Sequence, residues 1–234
     1  MGKNVILTGG TSGYGLATAK MLKENGYTVL ITARHQDKLI EAQKLTGADY
    51  IFVQDVSKME DWDKLYKYAK ETLKTVDVLI NNAGAGLAIK PIEEQTPSDI
   101  DAIIATNLTS VIYGAKTFAG DMKLARSGMI INVSSVCATH AWANWSIYAA
   151  AKAGVLNFTK GLHVELAPYG VRTTCIIPAS ASTGFQSAAN LGETKDSLQT
   201  EDVASAIVYA MNLPARAVVE DMTIWGMSQI VEPL

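Results

Sequence analysis

Seven short apolar runs alternate along this chain with longer amphipathic ones, and that rhythm limits the architecture more than any other property. The runs are NVILTGG (4–10), YTVLITAR (27–34), DYIFVQDV (49–56), VDVLINNAG (76–84), GMIINVSS (128–135), VRTTCIIP (171–178) and DMTIW (221–225). β-Branched runs of this length with little charge at their centres suit strands covered on both faces. Helical patterns are expected between them at 15–26, 37–45, 59–74, from about 97 to Arg126, 147–167 and 200–212, with Thr96 or Ser98 capping the long one. No linker rich in Pro, Gly or Ser interrupts the alternation, and nothing repeats. The expected architecture is one α/β domain over residues 1–234, a doubly wound parallel sheet.

With 48% hydrophobic residues, a chain of 234 residues has ample material for such a core. The net charge of −3, with neither sign in blocks, argues against nucleic acid or an anionic membrane as partner, because both need a basic surface. Cys137 and Cys175 are far apart with no histidine at metal spacing, which predicts a reduced protein without a metal site. The N-terminal apolar run is too short for a signal peptide, and Ile6 spoils a myristoylation pattern. No apolar stretch approaches the roughly 18 residues of a membrane span, so a cytoplasmic location is expected.

Ligands of a doubly wound sheet bind outside the carboxyl ends of its strands. The first run closes on TGGTSGYG. Glycine permits a sharp turn and close approach to a pyrophosphate, and the next helix offers unpaired N–H groups at its positive end. Gly9, Thr11, Ser12, Gly13, Tyr14 and Gly15 are therefore the candidate phosphate cradle. Its spacing is G-x-x-x-G-x-G rather than G-x-G-x-x-G, and no lysine with a following Ser or Thr succeeds it, which disfavours a P-loop ATPase. Arg34 closes the second run about 20 residues beyond the glycines, where an acidic residue would hold an adenosine ribose 2′-hydroxyl. A guanidinium binds a 2′-phosphate that a carboxylate repels, so NADP(H) is expected over NAD(H) unless Arg34 is simply a solvated loop residue. Asp55 and Val56 close the third run with a carboxylate and an apolar wall for an adenine. Asn81, Ala83 and Gly84 close the fourth, with small residues where a bulky one would obstruct a cofactor.

The fifth run ends on Ser135, 13 residues before Tyr148, and Lys152 follows one helical turn later in YAAAK. A free tyrosine has a pKa near 10 and is a poor acid–base group at neutral pH. A nearby ammonium favours the phenolate, and a serine hydroxyl can hold a substrate oxygen beside it. Each of these residues, and Asn107 in the middle of the long preceding helix, also has an ordinary reading: an alanine-rich helix for the Tyr–Lys pair, a strand end for Ser135, a buried hydrogen-bonded amide for Asn107.

Together these motifs resemble the short-chain dehydrogenase/reductase family over nearly the whole chain. The family's T-G-x-x-x-G-x-G matches Thr8, Gly9, Gly13 and Gly15, its adenine-site Asp falls on Asp55, and its N-N-A-G on Asn81 to Gly84. Its catalytic tetrad falls on Asn107, Ser135, Tyr148 and Lys152. The resemblance implies a Rossmann-type domain interconverting a carbonyl and a secondary alcohol by hydride transfer, without a metal. It implies Tyr148 as general acid/base, with Lys152 lowering its pKa and binding the nicotinamide ribose. Ser135 would polarise the carbonyl, and Asn107 would hold a water linking Lys152 to solvent. Pro178 and Thr183 would stand near the nicotinamide carboxamide. A homodimer or homotetramer is implied as well, although core packing explains the apolar stretches of the helices holding Asn107 and Tyr148 equally well.

Three positions depart from the pattern. Pro178-Ala179 stands for Pro-Gly, Tyr14 for an aliphatic residue, and EDMTIWGMSQ for a late Asp-Gly-Gly. That ending loosely resembles shorter members acting on 3-hydroxy acids such as serine, but no arginine is obviously placed to clamp a carboxylate. Cys137, His140, Trp142 and Trp145 are expected beside the substrate, whether as its wall or as packing, with a substrate loop over about 180–200. Two other functions share the pattern. One is a catalytically silent NADP(H)-binding sensor. The other is a nucleotide-sugar epimerase or dehydratase, whose extra substrate domain this chain is too short to carry.

Overall fold

The structure, a computed structural model, describes residues 3–180 and 198–227. Its strands are β1 Asn4–Thr8, β2 Thr28–Ala33, β3 Tyr50–Val53, β4 Val78–Asn81, β5 Gly128–Val133, β6 Val171–Pro178 and β7 Asp221–Ile224. They pair in parallel in the order β3-β2-β1-β4-β5-β6-β7, so the winding reverses between β1 and β4 and opens a crevice at their carboxyl ends. The expected Rossmann-type sheet is the one observed.

Alternation along the strands divides the core between the two faces. Val5, Leu7 and Ile31 pack with Ala19 and Leu22 of α1 (Gly13–Glu24), Leu39 of α2 (Gln36–Thr46) and Ile207 of α7 (Thr200–Asn212). Ile6, Leu30, Leu79 and Ile130 face the other way. They pack with Trp62 and Leu65 of α3 (Met59–Thr72), Phe118 of α5 (Ser110–Ala125) and Leu162 of α6 (Ser146–Leu166). The strands stop short of the apolar runs at the crevice, because the residues there leave the ladder to form the site. Gly9 and Gly10, for example, both donate their N–H to the Thr32 carbonyl, at 2.8 and 3.2 Å.

The helix expected from about 97 to Arg126 is not regular. It comprises α4 (Pro97–Ile104), a π-turn over Ala105–Thr109, and α5. Its cap is Thr96, whose Oγ1 accepts from Asp99 N while the Asp99 carboxylate accepts from Thr96 N. Within and just after the π-turn, the Asn107 amide donates to the Ile103 carbonyl at 3.0 Å and the Ser110 hydroxyl to the Thr106 carbonyl at 2.7 Å.

Candidate active site

The glycine turn is shaped as a cradle. Gly9 and Gly13 have φ of +70° and +50°, values that side chains rarely adopt. A Cβ on Gly15 would run into the Gly9 carbonyl oxygen and lie 2.7 Å from Asn82 Nδ2. Ser12 stands at the N-cap of α1 without capping through its side chain, and the first turn carries no acidic residue. A helix end left positive beside so tight a turn fits an anionic pyrophosphate.

Asn82, which sequence reasoning passed over, secures this turn. Its Nδ2 donates to the carbonyls of Thr8 and Gly9 at 2.9 and 3.3 Å, and its N–H donates to Thr8 Oγ1 at 3.0 Å, as does that of Ala83. Asn81, expected in the cofactor site, has the opposite placement. Its side chain is buried, donates to Asn132 Oδ1 at 2.9 Å and packs beneath Gly114 of α5. Adjacent strand residues point to opposite faces, so one asparagine of the pair had to turn inward. The period-2 pattern of β4 was the signal available in the sequence.

Arg34 is exposed immediately beyond β2. One oxygen of Asp55 accepts from Ser57 N and Oγ at 3.1 and 2.7 Å, which fixes the carboxylate at the end of β3. Val56 is buried beside it and its carbonyl accepts from Trp62 Nε1 at 2.8 Å.

At the other end of the crevice Tyr148 and Lys152 lie on the inner face of α6, both buried, with Lys152 Nζ 5.7 Å from the Tyr148 ring centroid. Lys152 Nζ donates to the Val133 carbonyl at 3.0 Å, and Ser134 Oγ donates to the Lys152 carbonyl at 2.8 Å, so α6 is pinned to the end of β5 at this turn. Ser135, next along, is close enough to Tyr148 for its hydroxyl to favour the phenolate, and its Oγ accepts from Cys137 N at 3.2 Å. Asn107 is buried and pairs with the Ala85 backbone, donating to its carbonyl at 3.0 Å and accepting from its N–H at 3.1 Å. The point where a Gly84 Cβ would stand is 3.0 Å from Asn107 Oδ1 and 3.4 Å from Lys152 Nζ. Asn107, Ser135, Tyr148 and Lys152 are thus brought together from three elements, with Gly84 leaving space between two of them.

Burial dominates the titration of this group. It pushes the Tyr148 phenol above its ordinary value, with Cys137 adding to the push and the Ser135 hydroxyl opposing it. It pulls the Lys152 ammonium down to about 8, against a smaller opposing effect of Cys175 and Cys137. Among the protein's own groups burial is the largest influence on the Tyr148 phenol.

A family model for short chain dehydrogenases matches residues 3–194. The chain belongs to the short-chain dehydrogenase family. It is 34% identical over 224 residues to an uncharacterized oxidoreductase of Staphylococcus aureus, covering 95% of this chain and 96% of that one. Among solved structures it is similar to a closed form of serine dehydrogenase complexed with NADP+, with a TM-score of 0.93 and 26% identity over 99% of this chain and 98% of the other. It is also similar to an alcohol dehydrogenase from the archaeon Thermococcus sibiricus complexed with 5-hydroxy-NADP, with a TM-score of 0.89 and 25% identity over the full length of both.

The remaining features belong to this dehydrogenase in particular. Trp145 stands edge-on to Tyr148 with ring centroids 5.3 Å apart. His140 packs between Trp142 and Trp225, at 6.1 and 5.3 Å. Trp225 was not anticipated beside the site, because only the position of β7 next to β6 brings it there. Pro178 ends β6 and is buried. Thr183 and most of the expected loop at 180–200 lie outside the described residues. Among the described residues no helix is long and apolar enough to cross a membrane, and no group of three or more His, Cys, Asp or Glu could hold a metal.

Proposed function

We propose that this chain is an NADP(H)-dependent oxidoreductase interconverting a carbonyl and a secondary alcohol, with Tyr148 as general acid/base. The observation that carries the reading is the convergence of Ser135, Tyr148, Lys152 and Asn107 across one crevice from the glycine cradle. When bound, the nicotinamide ring supplies or accepts the hydride and, oxidised, brings a positive charge. The chain's own residues bind, orient and move the proton. N–H groups of the cradle take the pyrophosphate, Asp55 and Val56 the adenine, and Arg34 the 2′-phosphate. Lys152 Nζ, held by Val133, holds the ribose hydroxyls on the side of Tyr148.

Ser135 holds the substrate oxygen next to the Tyr148 phenol, so proton transfer starts from a fixed geometry. Burial keeps that phenol protonated, which suits it to donate to a carbonyl oxygen in reduction. Oxidation calls for the phenolate, and the cation at Lys152 then favours it. A homodimer or homotetramer is part of this proposal, supported by the exposed Leu124 of α5 and Val164 of α6.

An NADPH-oxidation screen over ketones, aldehydes and 3-keto acids tests the function, and turnover that depends on the carbonyl is the expected result. NADPH binding with no turnover across the panel would instead favour the silent sensor. Cofactor choice has its own test in Arg34→Glu. This substitution should weaken NADPH about ten- to a hundredfold, the loss of a charge-assisted contact, and leave NADH unchanged or tighter. A wild-type preference for NADH would remove Arg34 from the cofactor site.

A further inference from the structure

Two of the positions at which this chain departs from its family's pattern are partners. Tyr14 lies in the first turn of α1, between Gly13 and Gly15 of the phosphate cradle, and its hydroxyl donates to the Ala179 carbonyl at 3.1 Å. The partners are 165 positions apart in sequence. In the sheet, β4 and β5 stand between the strand that feeds the cradle and the strand that ends before Ala179. One phenol therefore joins the pyrophosphate end of the crevice to its reacting end.

The far anchor is firm. Ala179 is buried, and its N–H donates to the Ile224 carbonyl at 2.8 Å, so its backbone is held by β7 on one side and by Tyr14 on the other. The Tyr14 ring packs against the apolar cluster that includes Val133 and Ile176 near the ends of β5 and β6. It is also close enough to Tyr148 to add to the upward push on that phenol.

We propose that Tyr14 is a positioning residue for the nicotinamide half of the cofactor, its ring forming part of the floor beneath that half and its hydroxyl fixing the Ala179 backbone against which that half is placed. This rests on the nicotinamide-cofactor reading above. The physical reason is span. A dinucleotide held at its pyrophosphate by one element and at its reacting ring by another transfers hydride efficiently only if those elements keep a set spacing. A hydrogen bond across the crevice sets that spacing directly, and it replaces the freedom a glycine at 179 would have with a tethered alanine.

The test compares ligands that differ only in the nicotinamide. Dissociation constants are measured for NADPH and 2′-phospho-ADP-ribose, with NADH and ADP-ribose as a parallel pair, on the wild type and Tyr14→Phe. The expected result is NADPH weakened roughly three- to tenfold, the size of one hydrogen bond, with 2′-phospho-ADP-ribose within twofold of wild type. Equal weakening of both ligands would show that Tyr14 supports only the fold of the turn, and no change in either would show that its hydrogen bond is idle. Either result overturns the proposal and leaves the cofactor reading standing. A wild type that binds neither NADPH nor NADH overturns the cofactor reading itself.

Discussion

Tyr148→Phe should lower kcat/KM about 10²- to 10⁴-fold while the dissociation constant of NADPH stays within a few-fold of wild type. The substitution removes one oxygen and keeps the ring that packs edge-on to Trp145 and lines the inner face of α6. Its structural cost is that of one polar contact at the phenol oxygen, about 1 kcal/mol. Loss of a few degrees in Tm together with loss of nearly all turnover is therefore the signature of a proton-transfer role. Stopped-flow binding and steady-state rates on one preparation separate the two effects. A Phe variant with more than a tenth of wild-type kcat/KM would take Tyr148 out of the proton path.

Lys152→Met should lower kcat/KM about 10²- to 10³-fold and leave stability at neutral pH nearly unchanged. The two halves of this result have opposite electrostatic origins. The cation favours the phenolate and holds the ribose, so activity falls without it. In the oxidative direction, the pH at which activity rises should also move upward, because the Tyr148 phenolate has lost its neighbour. Stability behaves differently because the ammonium is costly to bury. Its pKa falls from an ordinary 10.5 to about 8 on folding, a penalty of about 3 kcal/mol at neutral pH. Methionine relieves that penalty but leaves the Val133 carbonyl without its donor, a cost of about 1–3 kcal/mol.

The sign of the pH dependence follows from the lowered value. Below pH 8 the lysine is protonated both folded and unfolded, and the full penalty applies. Between 8 and 10.5 the unfolded chain binds the extra proton, so the wild type gains stability relative to Lys152→Met as pH rises through this window. Melting curves of both proteins from pH 7 to 10.5 follow the difference. A constant difference would mean that Lys152 is not buried as an ammonium.

Much of the fold was legible because it rests on local patterns. Seven apolar runs became seven strands, and the helices lie where the 3.6-residue pattern put them, within a residue or two at most ends. The exception is instructive. From 97 to 126 the apolar spacing is that of one helix, and the π-turn over Ala105–Thr109 leaves no mark on the hydrophobic period. Within that turn Asn107 pairs with the Ala85 backbone, beside Lys152.

Candidate site residues were legible in proportion to how far their geometry follows from their own neighbours. Tyr148 and Lys152 share a face because they are four apart on a helix, and the cradle turns sharply because it is rich in glycine. The asparagine pair shows where this stops. Both residues are written in the same motif, but one braces the cradle and the other braces the core, and the facing of β4 decides which.

By itself the sequence determined the α/β rhythm, the phosphate turn and the Tyr–Lys pair, since periodicity and glycine content act within a few residues of the chain. Only the tertiary structure decided that burial is the largest influence on the Tyr148 phenol, that Trp225 stands by His140, and that Tyr14 reaches Ala179. Desolvation and hydrogen bonds depend on which distant segments meet. In this protein the order of strands in the sheet sets those meetings, and no short stretch of sequence contains it.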